Sequence, residues 1–346
     1  MKISNKKEIN LLPHPRNNPD FFGHEKAVDI LEGILKTDRI PKSWLICGQE
    51  GVGKATLAYR FAKCLLSGKK ELSPDNHEPS VIRVAGGTHS DLLVIEPDAE
   101  KASNDISVNQ IRKISEFLRL SASETKYRIV IIDSADNMNN AAANALLKLL
   151  EEPPVKSIFL LISHCPGRLL PTIKSRCRYL NLGALSEFYS SNILQTAIPE
   201  VMPHENDMLI YISNGSPGVA INLYYNNGVE IYQKIIAVLK TLPRIDNVKV
   251  QELADLVTKK GDKVSWQAMS LLFDTTLTRI IKAAASQSYL KMLNADEKEV
   301  FARLTQIKDI ESLLDVKDKA NKLISDTSRI HLDKRAVIIS MFREFC

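Results

Sequence analysis

The chain has 346 residues, 44% of them hydrophobic and 25% charged, and a net charge of +5. That length allows two or three domains with cores of their own, and the balance is that of an ordinary globular protein rather than a disordered or fibrous one. No apolar run is long enough to cross a bilayer and residues 1–7 carry no apolar leader, so a cytoplasmic location is expected and a membrane partner is not.

The cysteines are Cys47, Cys64, Cys165, Cys177 and Cys346. They form no Cys-x-x-Cys pair, and their number is odd. Neither a zinc site nor a disulfide framework is expected.

Trp44-Leu45-Ile46-Cys47 reads as a short buried strand running into the glycine loop Gly48-Gln49-Glu50-Gly51-Val52-Gly53-Lys54. A helix is predicted from Ala55 to Leu66, with Leu57, Ala58, Phe61, Ala62 and Leu65 at helical spacing. Strand, glycine turn and helix together form a phosphate-binding loop: backbone N–H groups and the helix N-terminus cradle an anion, and lysine reaches the outer phosphates. A working loop follows its lysine with Ser or Thr, whose hydroxyl binds Mg²⁺. Here Ala55 stands in that place and the hydroxyl comes one residue late, at Thr56, turned by about 100° around the helix.

Residues 67–87, rich in Gly, Ser, Pro and Asn, read as a surface insertion. Beyond them, strands are predicted at Leu92-Leu93-Val94-Ile95, at 128–133 and at 158–163, with amphipathic helices at 108–118 and 141–150. This alternation over residues 1–185 predicts an α/β domain with a parallel sheet. Asp133 closes its strand where such proteins place the acid that holds the nucleotide's metal ion. The next residue is Ser134, whose hydroxyl cannot take up a proton near neutral pH. Asp136 reads as a cap for the following helix. From residue 186 strands largely vanish: a small helical unit is expected over 186–245, and long helical periods run from 246 to 346. Lys259, Lys260, Lys263, Arg279 and Lys282 read as a solvated basic surface, with contact to DNA as the alternative.

These motifs, in this order, resemble the clamp-loader AAA+ proteins, above all the delta-prime subunits of bacterial DNA polymerase III. Phe22-Gly23-His24-Glu25-Lys26-Ala27, the loop from Gly48 to Thr56, Ile131-Ile132-Asp133-Ser134-Ala135-Asp136, the run from Asn144 to Pro154 and Ser175-Arg176-Cys177 carry the likeness, with Gly215-Ser216-Pro217-Gly218 as a weaker match. The resemblance implies an AAA+ domain (1–185), a lid (186–245) and a helical collar (246–346). It further implies a subunit of a hetero-pentamer with clamp-loader ATPase subunits and a delta subunit, which sets a sliding clamp on primed DNA. Arg176 would be an arginine finger reaching the ATP of a neighbouring subunit.

Gly48, Gly51, Gly53, Lys54, Thr56, Asp133 and Ser163 are then a degenerate nucleotide site, with Ser163 in the place of a polar sensor. Active motors of the family carry Thr or Ser for Ala55, Glu for Ser134 and an arginine for Gly218. Their loss implies a stator with no ATPase activity of its own. No cofactor is required, ATP or ADP is held at most without turnover, and zinc is not expected. The alternative is an active AAA+ motor of a clamp loader or related DNA remodeller, in which Thr56 and Asp136 replace the missing hydroxyl and base.

Overall fold

The structure, a computed structural model, describes residues 13–37, 39–97, 105–258, 264–330 and 332–345. Residues 1–7 and Lys259, Lys260 and Lys263 lie outside them. The chain divides into two compact units, one made of Met1–Glu200 with Asn214–Val219 and the other of Val201–Ser213 with Ala220–Cys346.

The first unit is an α/β sandwich. Its elements in order are α1 (Glu25–Thr37), β1 (Ser43–Cys47), α2 (Lys54–Ser67), α3 (Pro79–Ala85), β2 (Leu92–Ile95), α4 (Val108–Arg119), β3 (Arg128–Ile132), α5 (Asn140–Glu151), β4 (Ser157–Ser163), α6 (Pro171–Lys174), β5 (Arg178–Asn181) and α7 (Glu187–Ala197). The five strands form one parallel sheet in the order β2-β3-β4-β1-β5. Strand residues alternate between two cores, as the twofold period of a strand requires. Trp44, Ile46, Ile129, Ile131, Leu160 and Ile162 face the helices α1 and α2, whereas Leu45, Val130, Ile132, Phe159 and Leu161 face α4 and α5. Burial on both faces explains why β1, β3 and β4 read as unbroken apolar runs.

Several features depart from the sequence reading. Arg279, read as solvated surface, is buried at 4% exposure and paired with Glu297, because the carboxylate compensates its charge out of water. Residues 67–87 are not merely a surface insertion: they contain α3, which buries Val81 and Val84, while Leu72 before it joins the core around α2. The sheet also gains β5, an edge strand whose Arg178, Tyr179 and Asn181 are exposed.

The second unit is helical: α8 (Pro203–Ser213), α9 (Pro217–Tyr225, which begins in the first unit), α10 (Gly228–Leu239), α11 (Asn247–Val257), α12 (Val264–Ala285), α13 (Gln287–Met292), α14 (Ala295–Ile307), α15 (Ile310–Ile330) and α16 (Lys334–Arg343). Its core centres on α12, where Phe273 meets Phe342 edge to face at a centroid distance of 5.2 Å. No helix of the described residues is long and apolar enough to cross a membrane.

Candidate functional site

The parallel sheet sends every strand's C-terminal end to the same edge, where open α/β sheets place their ligand crevice. A cavity of about 930 Å³ lies there, within the first unit. Its wall includes Gly51, Gly53, Lys54, Ala55 and Thr56 from the glycine loop, Asp133 and Ser134 from the end of β3, and His164 from the end of β4. Phe21, Phe22 and Gly218 complete the apolar side. The structure therefore brings Gly51, Gly53, Lys54, Thr56 and Asp133 to one cavity, whereas Gly48 and Ser163, expected in the same site, do not line it. Ala55 presents a methyl group and offers no oxygen to a cation.

The loop backbone is held by the chain itself. Lys54 Nζ donates to the Gly48 carbonyl at 2.8 Å and to that of Gln49. Ser216 Oγ donates to Glu50, Gly218 N–H to Gly51 at 3.0 Å, His24 Nε2 to Val52 at 3.0 Å and Leu57 N–H to Gly53 at 3.0 Å. Each carbonyl from Gly48 to Gly53 thus has a donor, and an intact network of this kind rigidifies what it satisfies. Gly51 is a glycine for a local reason. Its φ is +76°, and a Cβ there would lie 2.5 Å from Ser216 Oγ and 2.7 Å from the Val219 nitrogen.

Charge in the cavity is tuned chiefly by burial. Lys54 is only 3% exposed, and desolvation lowers its pKa to about 8, even though Asp133, Glu50 and Asp136 pull the other way. Desolvation also raises Asp133 to about 6, with repulsion from Glu96 adding to it and attraction to Lys54 opposing it. The two groups attract each other, yet each is driven toward its neutral form, because loss of water outweighs that attraction.

Ser134 Oγ shares a 2.6 Å hydrogen bond with His164 Nε2. His164 is exposed at the cavity mouth, yet enough protein surrounds its ring to lower its pKa, and the Lys54 charge lowers it further. Asp136 is not the cap of α5; that is Asn139, whose side chain accepts from the Ala142 N–H. Instead Asp136 ties the end of β3 to the end of β4. One oxygen accepts from Ser163 Oγ at 2.6 Å, the other from the N–H groups of His164 and Cys165. This also turns the Ser163 hydroxyl, which is wholly buried, onto Asp136.

Arg176 stands apart, exposed at the turn between α6 and β5. Its Nη2 lies 2.7 Å from Glu151 Oε1, and its Nη1 donates to the Thr172 carbonyl at 2.9 Å. Among the cavity residues that sequence reasoning missed are Glu96 and His164. Each directly follows a strand at the ligand edge of the sheet, a position that is the signal by which the sequence offers them.

A family model described as "DNA polymerase III, delta subunit" matches residues 23–186. The chain is 34% identical over 233 residues to DNA polymerase III subunit delta' of Pseudomonas aeruginosa, covering 67% of this chain and 68% of that protein. It is 33% identical over 214 residues to the subunit delta' of Escherichia coli, covering 61% and 60%. Among solved structures, a gamma subunit-related protein of Thermotoga maritima aligns over 92% of this chain and 98% of its own, at 19% identity and a TM-score of 0.42.

Proposed function

The chain belongs to the delta-prime subunit family of DNA polymerase III, and on that premise we propose that it is a non-catalytic stator of the replicative clamp loader. In this reading it stands in a hetero-pentamer with ATPase subunits and a delta subunit, in the cytoplasm. It supplies Arg176 in trans to a neighbour's ATP while the sliding clamp is set on primed DNA. Residues 186–245 serve as lid and 246–346 as collar. Its own cavity takes ATP or ADP without turnover, through the loop Gly48 to Thr56 and Asp133, and requires neither nucleotide nor zinc.

The observation that carries the proposal is a phosphate loop kept in shape by its own hydrogen bonds while the residue after Lys54 is alanine. Loss of binding geometry is not what distinguishes this site; loss of chemistry is. Ser134 lacks the basicity to take a proton from water. Asp136 is unsuited to replace that base, because it already accepts from three donors. Arg176 has the attributes of a finger: an exposed guanidinium, always charged and able to bind phosphate oxygens bidentately. The alternative, an active motor, finds support in Glu96, a carboxylate that lines the cavity beside Asp133.

The test is Arg176→Ala in the reconstituted loader. ATP hydrolysis at the site it serves should fall by on the order of 10³, while the pentamer still assembles on gel filtration. An unchanged rate in an assembled complex removes the trans role.

A further inference from the structure

We propose, resting on the trans-finger reading of Arg176, that Glu151 is a positioning residue that holds the guanidinium in waiting and competes with the neighbour's phosphate for it. The pair is close, with 2.7 Å between Arg176 Nη2 and Glu151 Oε1. Both side chains are open to water, at 34% and 49% exposure. An exposed pair of this kind is weak enough to be given up and strong enough to select one rotamer of a long side chain.

The placement of Glu151 supports a dedicated role. It is the last residue of α5, at the helix end whose partial charge is negative, where a carboxylate is disfavoured. Arg176 offsets that cost. The second acceptor, the Thr172 carbonyl, belongs to the short helix α6, so the guanidinium rests between acceptors from two separate elements. Glu152, Pro153 and Pro154 follow directly, and the prolines stop the helix so that Glu151 stays at its end. The carboxylate neutralises Arg176 until a phosphate with more negative charge displaces it. Glu151 thereby suppresses hydrolysis in a loader that has not yet closed on its clamp and DNA.

The experiment is a double-mutant cycle in the reconstituted full-length loader, with kcat and KM for ATP measured without clamp or DNA. Glu151→Gln removes the charge and keeps the side-chain shape. It should raise the idle kcat by roughly two- to fivefold, the range to which the strength of an exposed ion pair corresponds, with KM little changed. In the Arg176→Ala background the same substitution should change nothing, which a merely structural role of Glu151 does not predict. A rate that stays the same or falls in Glu151→Gln overturns the inference, as does an equal rise in the Arg176→Ala background. Should Arg176→Ala itself leave hydrolysis intact, the finger reading fails first and this inference fails with it. Glu151→Asp, which keeps the charge, should restore most of the suppression; failure to do so at full assembly counts against the ion pair as its cause.

Discussion

The backbone N–H of Gly218 donates to the Gly51 carbonyl at 3.0 Å, and a Cβ at Gly218 would lie 2.8 Å from the Gly51 Cα. The segment in which the family resemblance places a phosphate-sensing arginine for active motors is therefore pressed against the phosphate loop, backbone to backbone. A side chain at 218 has to push the loop aside.

Gly218→Arg is accordingly expected to destabilise the protein rather than rescue turnover. Overpacking a closed contact costs about 1–3 kcal/mol, which thermal denaturation reads as a loss of several degrees. A variant with unchanged melting and newly acquired ATP hydrolysis contradicts the closed contact.

Lys54 gives a pH signature. Its folded pKa, lowered to about 8 by burial, lies below the unfolded value of about 10.4. Between the two, the unfolded chain binds more protons, so stability rises with pH. The penalty of the buried charge is complete below about 8 and relieved as pH climbs toward the unfolded value. Urea unfolding at about pH 7.5 and 9.5 should therefore show a gain for the wild type relative to Lys54→Met, which lacks the titrating group. Parallel behaviour of the two proteins contradicts the desolvated lysine.

In the helical unit, Glu297 is wholly buried and accepts from the hydroxyls of Tyr211 and Tyr232 and from Arg279 Nη2 at 2.8 Å. Arg279 also lies over the Tyr211 ring, 3.9 Å from its centroid. Desolvation pushes both tyrosines above their ordinary pKa, and interaction with the Glu297 carboxylate adds to it. Glu297→Ala strands the buried Arg279 charge and should cost about 3–5 kcal/mol in urea unfolding. Replacing both, as Glu297→Leu with Arg279→Met, should recover much of that. A single-mutant cost below about 1 kcal/mol shows that water, not Glu297, satisfies the arginine.

The sheet and the phosphate loop were legible because their signals are local. The apolar runs at 44–47, 92–95, 128–132 and 158–163 are strands in the structure. Lys54 opens α2 immediately after the glycines, as the loop pattern predicts. β5 was illegible because Arg-Tyr-Leu-Asn buries a single side chain and borrows its partner, β1, from more than a hundred residues earlier. α3 was hidden because Gly, Pro and Asn around it read as loop, while its burial depends on packing against α2. Asp136 went to the wrong partner for a related reason. A carboxylate just ahead of a helix reads as a cap, and only the tertiary structure brings Ser163 and the His164 N–H within reach. The bonds Ser216–Glu50 and Arg176–Glu151 likewise join segments that sequence spacing cannot pair.

The most direct measurement is phosphate release from ATP by the purified chain, first alone and then mixed with its ATPase partners. Ala55, Ser134 and the engaged Asp136 predict silence from the chain alone and acceleration of the mixture that depends on Arg176. Hydrolysis by the chain alone, abolished by Lys54→Ala, contradicts the account and makes the protein a motor with Glu96 as its leading candidate base.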